Sequence, residues 1–106
     1  MRFEFETVVQ GPRALVTLRG ELDMLATAEL EPELERLAEH PTVEVVAVDL
    51  RGLDYLDTNG LRAVVCARDQ LDEVGMRLVL VRGPIAVQRV FEITRMTERL
   101  HFVDAI

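Results

Sequence analysis

Apolar and polar positions alternate through the start of the chain, where Phe3, Phe5, Val8 and Val9 are separated by Glu4, Glu6 and Thr7. That spacing predicts a half-buried strand with one wet face. "ALVTLRG" repeats the strand pattern after "QGPR", and Gly11 and Pro12 are turn formers, so the first twenty residues predict an antiparallel hairpin. From Thr27 the period changes: Leu30, Leu34 and Leu37 recur at helical spacing, with acidic residues early and Arg36 and His40 late. Pro32 interrupts this first helix, because a proline beyond the first turn lacks the N–H that the helix needs. Either the helix begins at Pro32 or its first turn is distorted.

Residues 43 to 50, "VEVVAVDL", and 76 to 82, "MRLVLVR", are apolar almost throughout, as strands covered on both faces of a parallel arrangement are. Between them Gly60, Val64, Ala67, Leu71 and Val74 form the stripe of a second helix, with Gly75 as its terminator. "GPIAVQRVFEITRM" places Pro84 at a first helical position and Val87, Val90, Phe91 and Thr94 inward, predicting a third helix. "RLHFVDAI" then reads as a short last strand. The pattern predicts an α/β fold: one domain over residues 1–106, with a mixed sheet made of an N-terminal hairpin and parallel strands joined by right-handed crossovers, and three or four packed helices. No internal repeat, low-complexity tract or linker interrupts it.

At 106 residues the chain is long enough to bury about two thirds of its unfolded surface without disulfides or metals. The net charge of −7, with basic residues scattered singly, offers no electrostatic footprint for nucleic acid or an anionic membrane. All 12 basic residues are arginine, which excludes chemistry built on a phosphate-anchoring or Schiff-base lysine and also excludes a phospho-accepting receiver domain. The single cysteine, Cys66, forbids an intrachain disulfide and suits a reducing compartment. Its place beside the apolar stripe of the second helix predicts a core thiol. "MRFEFETVV" lacks the apolar run of a signal peptide, and no stretch is apolar enough to span a bilayer. The expected location is the cytoplasm. His40 and His101 have no second ligand at metal spacing, so neither a metal nor another cofactor is expected.

The candidate site is "VDLRGLDYLDTNGLRAVV", residues 48 to 65, where Asp49, Asp54 and Asp57 gather at the carboxyl end of a buried strand. Open α/β sheets place their functional groups there. Two readings of Thr58 stand open: a helix cap, since Asp and Thr before an apolar-periodic run suit an N-cap, or a group that accepts phosphate. No Glu or Gln follows three residues after Asp57 or Thr58, so there is no capping box. "GELD", residues 20 to 23, reads locally as a polar loop with a turn glycine.

Taken together, "GELD", "VDLRGLDYLDTNGLRAVV" and "GPIAVQRVFEITRMTERLHFVD" resemble the STAS domain, and in particular the bacterial anti-sigma factor antagonists, over nearly the whole chain and in the same order. The resemblance implies a non-enzymatic regulator whose unphosphorylated form binds an anti-sigma factor kinase and releases its sigma factor. By the D-[ST]-x-G motif it implies phosphorylation at Thr58, with Asp57, Asn59 and Gly60 around it and Asp23 of "GELD" near the same surface. It further implies a phosphatase acting on phospho-Thr58. Two positions depart from the common pattern: threonine stands where serine is most frequent, and Asn59 where Ser, Thr or Ala is usual. Threonine acceptors also occur in the scaffold members of the family, so a stressosome or transport subunit is the alternative. An acidic cluster holding Mg²⁺ and a nucleotide is disfavoured by the absence of a glycine-rich phosphate loop.

Overall fold

The computed structural model describes residues 2–106. Its strands are β1 (Glu4–Gln10), β2 (Arg13–Leu22), β3 (Val45–Leu56), β4 (Arg77–Val81) and β5 (Phe102–Val103), and its helices are α1 (Met24–Ala38), α2 (Thr58–Glu73) and α3 (Ile85–Ile93), with a single 3-10 turn at Met96–Glu98. The strands lie in the order β1-β2-β3-β4-β5. β1 and β2 are antiparallel and the remaining neighbours are parallel, as the alternation of strand and helix patterns predicts. Gln10 pairs with Arg13 across a two-residue turn whose first residue, Gly11, has φ +58°, a conformation open to glycine and costly for other residues.

Register explains the core. Ala14 and Val16 lie opposite Val46 and Val48, which lie opposite Leu78 and Leu80, so all six share one face of the sheet by the two-residue strand period. That face packs against Leu30, Leu34 and Leu37 of α1, Val64, Ala67 and Leu71 of α2, and Val87 and Phe91 of α3. Phe91 meets Phe102 of β5 edge-on, with ring centroids 5.1 Å apart, which ties the last strand to the third helix.

Several sequence expectations are corrected. α1 starts at Met24, ahead of both Thr27 and Pro32, because Asp23 caps it: the Asp23 carboxylate accepts from the Ala26 amide at 2.9 Å. Pro32 therefore sits inside the helix, where Ala28 loses its amide donor. Both residues are exposed, so the bond is lost on the wet face of the helix and not in the core. "GELD" is not a loop, since Gly20, Glu21 and Leu22 belong to β2. Gly20 has φ +95°, and a Cβ on it would run into the carbonyl of Arg2. Val74 is the C-cap of α2 and is 55 % exposed, outside the expected stripe, while Gly75 with φ +79° does terminate the helix. Cys66 is exposed, not a core residue. Pro84 precedes α3 as its N-cap instead of opening it.

β3 is longer than its apolar run. After Asp49, opposite Val81, it leaves β4 and continues beside β2 alone, with Leu53 opposite Gly20 and Leu56 opposite Leu22. In this extension Leu53 and Leu56 are buried while Arg51, Asp54 and Tyr55 are exposed. The extension carries the end of β3 to the rim where α1 and α2 begin.

Candidate functional site

Two strand-to-helix junctions lie side by side at this rim. Leu22 and Leu56 are register partners, and the Asp57 amide donates to the Leu22 carbonyl at 3.4 Å. Each junction has the same construction: a buried leucine ends the strand, an extended aspartate follows, and its carboxylate and carbonyl take up the first free amides of the helix. At the second, Asp57 Oδ1 accepts from the amides of Asn59 at 2.9 Å and Gly60 at 3.0 Å, and its carbonyl accepts from Leu61 at 2.9 Å.

The cap is therefore Asp57, and Thr58 is the first helical residue. Thr58 is exposed, and its hydroxyl has no hydrogen-bond partner among the described residues. Asn59 is half-buried. Gly60 is buried against β2, and a Cβ there would strike the Leu22 carbonyl and approach Leu56 Cδ1 to 2.6 Å. Its part in the site is to let α2 sit close enough to β2 to bring the Asp23 and Asp57 junctions together. Replacing Asp57 by Ala is expected to cost about 1 kcal/mol, the usual value of an N-cap, whereas Asp57→Asn keeps the acceptor and loses only a few tenths. Urea unfolding midpoints of the two variants measure this.

Of the three aspartates in the motif, only Asp57 reaches the junction with a structural task. Asp54 is exposed on the β3 extension. Asp49 lies further back on the strand, buried, accepting from the Arg51 backbone amide at 3.0 Å and from its guanidinium at 3.0 and 2.8 Å. The guanidinium hydrogen bonds hold the Asp49 carboxyl below its ordinary pKa against the opposing effect of burial. A depressed folded-state pKa stabilises the fold above the unfolded carboxyl value of about 3.9 and is lost as pH falls through the lower folded value. Arg51→Met keeps the backbone amide bond to Asp49 but removes both guanidinium bonds, so it is expected to lower stability at pH 7, and the deficit should shrink below about pH 4. Urea midpoints at pH 7 and pH 3 test the sign.

Sequence reasoning missed the apolar rim of the site. Met24 and Leu25, the first residues of α1, are 64 % and 73 % exposed, and Tyr55, opposite Glu21 near the end of β3, is 47 % exposed. The signal was available in "LDML", where two large apolar residues follow a cap at positions that a helix begun at Thr27 leaves out. Among the described residues no group of three or more His, Cys, Asp or Glu is placed to hold a metal ion. No helix there is long and apolar enough to cross a membrane.

Fold and junction together define a one-sheet α/β domain that displays a free hydroxyl at the start of a helix, directly after its aspartate cap, on a rim that also carries a second aspartate cap and exposed apolar side chains. The model of the STAS domain family matches residues 4–106, and the chain belongs to that family. Among curated proteins it is similar to the anti-sigma-B factor antagonist of Staphylococcus aureus, 29% identical over 101 residues, covering 95% of this chain and 93% of that protein. Among solved structures it resembles an anti-sigma factor antagonist from Mycobacterium paratuberculosis, with TM-score 0.83, 18% identity and coverage of 99% of this chain and 88% of that one. It also resembles the Bacillus cell fate determinant SpoIIAA in its phosphorylated form, with TM-score 0.73, 20% identity and coverage of 96% and 91%.

Proposed function

We propose that this chain is an anti-sigma factor antagonist acting in the cytoplasm, whose unphosphorylated form binds an anti-sigma factor that is also a serine/threonine kinase and frees its sigma factor. Phosphorylation at Thr58 ends the interaction, and a phosphatase restores it. The observation that carries this reading is that the Thr58 hydroxyl is exposed at the junction while Asp57 performs the capping. The fold has no use for that hydroxyl, so it is free for a partner.

Asp57 also bears on how the switch works. A phosphate at a helix N-terminus is ordinarily stabilised by free amides, but those of Asn59 and Gly60 already donate to Asp57. The new charge, roughly −1.5 to −2, stays directed at the partner and sits beside a carboxylate. An interface that accommodates a neutral hydroxyl then has to desolvate a dianion. Asp23 and Asn59 frame the contact, and Met24, Leu25 and Tyr55 supply apolar area for it.

Incubation with the cognate kinase and ATP, followed by mapping of the product, tests the proposal. Phosphate on Thr58 together with loss of the complex is the expected result. Phosphate elsewhere, or isolation in a large multi-copy assembly with no kinase bound, overturns it.

A further inference from the structure

We propose that a second site, at the opposite end of α2 from Thr58, binds a single phosphate or phosphomonoester group. A cavity of about 200 Å³ lies between α2 and the outer edge of β4, lined by Arg68, Asp72, Arg77, Leu78, Arg99 and His101 among others. Arg68 is shared between Asp69 at 3.1 Å and Asp72 at 3.7 Å, yet its Nε is buried with no acceptor. Arg77 and Arg99 have no carboxylate partner among the described residues. On a chain of net charge −7, three arginines line one small cavity; Asp69 and Asp72 both answer Arg68, and the charges of Arg77 and Arg99 are left where an anion can use them.

The strand edge adds a backbone donor. The amides of Leu80 and Arg82 donate to the carbonyls of His101, just before β5, and Val103, within it, both at 2.9 Å. Strand alternation turns the Leu78 amide to the same side. β5 begins at Phe102 and pairs only with Leu80 and Val81, so Leu78 lies past its end, on the cavity wall. A strand N–H to which β5 offers no acceptor, on a wall shared with arginines, suits a tetrahedral oxyanion, since arginine forks match phosphate geometry. The volume is below the roughly 300–1,000 Å³ of clefts for drug-sized ligands, which favours one phosphate group over a nucleotide.

This site is independent of the Thr58 proposal. Asp72 stands near the end of the 16-residue α2, roughly 20 Å from Thr58 at about 1.5 Å per residue, so the ligand is not phospho-Thr58 of the same chain. Titration of the ¹⁵N-labelled protein with inorganic phosphate at constant ionic strength is expected to give saturable shifts centred on Leu78 and His101. A double variant, Arg77→Gln with Arg99→Gln, should bind at least tenfold more weakly while keeping the wild-type spectrum elsewhere, because both side chains are exposed and unpaired. Glycerol 3-phosphate provides the second arm: tighter binding than phosphate assigns the site to a phosphorylated metabolite, and equal binding to free phosphate. Shifts that do not saturate, or that persist undiminished in the double variant, overturn the proposal.

Discussion

Thr58→Glu is expected to weaken binding to the anti-sigma partner by at least 100-fold while leaving the fold as stable as before, or slightly more so. The two halves of this expectation have separate causes. A glutamate at the first position of α2 lies near the positive end of the helix dipole, a location worth about 0.3–1 kcal/mol to an anion, and the Asp57 cap is untouched. At the interface the same charge must be stripped of water beside Asp57, and a buried charge without a counterion costs several kcal/mol. Thr58→Ala should bind like the wild type and resist the kinase. Calorimetric affinities for the three proteins, read beside their urea midpoints, separate a switch at the interface from a defect in folding. Undiminished binding by the glutamate variant would count against the role of Thr58.

A methyl group at position 60 is expected to destabilise the domain by about 2 kcal/mol, the largest effect on folding of any change at the junction. Overpacking of a well-filled site costs about 1–3 kcal/mol, and Gly60 sits at the severe end of that range. The nearest obstacle is the Leu22 carbonyl, a backbone atom already held by the Asp57 amide. Alanine recovers about 1 kcal/mol through its better helix propensity, which is why the net figure is not larger. Thermal unfolding should show Tm falling by roughly 8–16 °C in a domain of this size. Because α2 must move away from β2, partner binding should weaken too, in contrast to Thr58→Ala.

The residues that made the fold legible are those whose pattern has a single structural solution. The strand-helix alternation from Val45 onward, the hairpin at Gly11 and Pro12 and the stop at Gly75 all needed only local rules. The misreadings share a cause in tertiary context. Cys66 lies next to Ala67 in sequence but on the solvent side of α2, and one residue is about 100° of helix. The β3 extension was invisible because it is paired to β2 alone, so its pattern of buried and exposed residues is broken where the strand's apolar run ends. Pro32 argued for a later helix start, yet a solvent-facing carbonyl makes its missing bond cheap. At the site, the motif located Thr58 and its neighbours, whereas the assignment of the cap to Asp57 required the hydrogen bonds.

The twin construction of the two junctions supplies an internal control that nature has already run. Asp23 and Asp57 start their helices in the same way, with the same extended backbone and the same side-chain bond to the first turn. The residue immediately after Asp23 is Met24, which has no hydroxyl, and α1 forms regardless. Architecture at this position is therefore indifferent to the side chain it carries, and the two equivalent sites are free to be spent differently, one on a greasy contact and the other on a group that chemistry can rewrite.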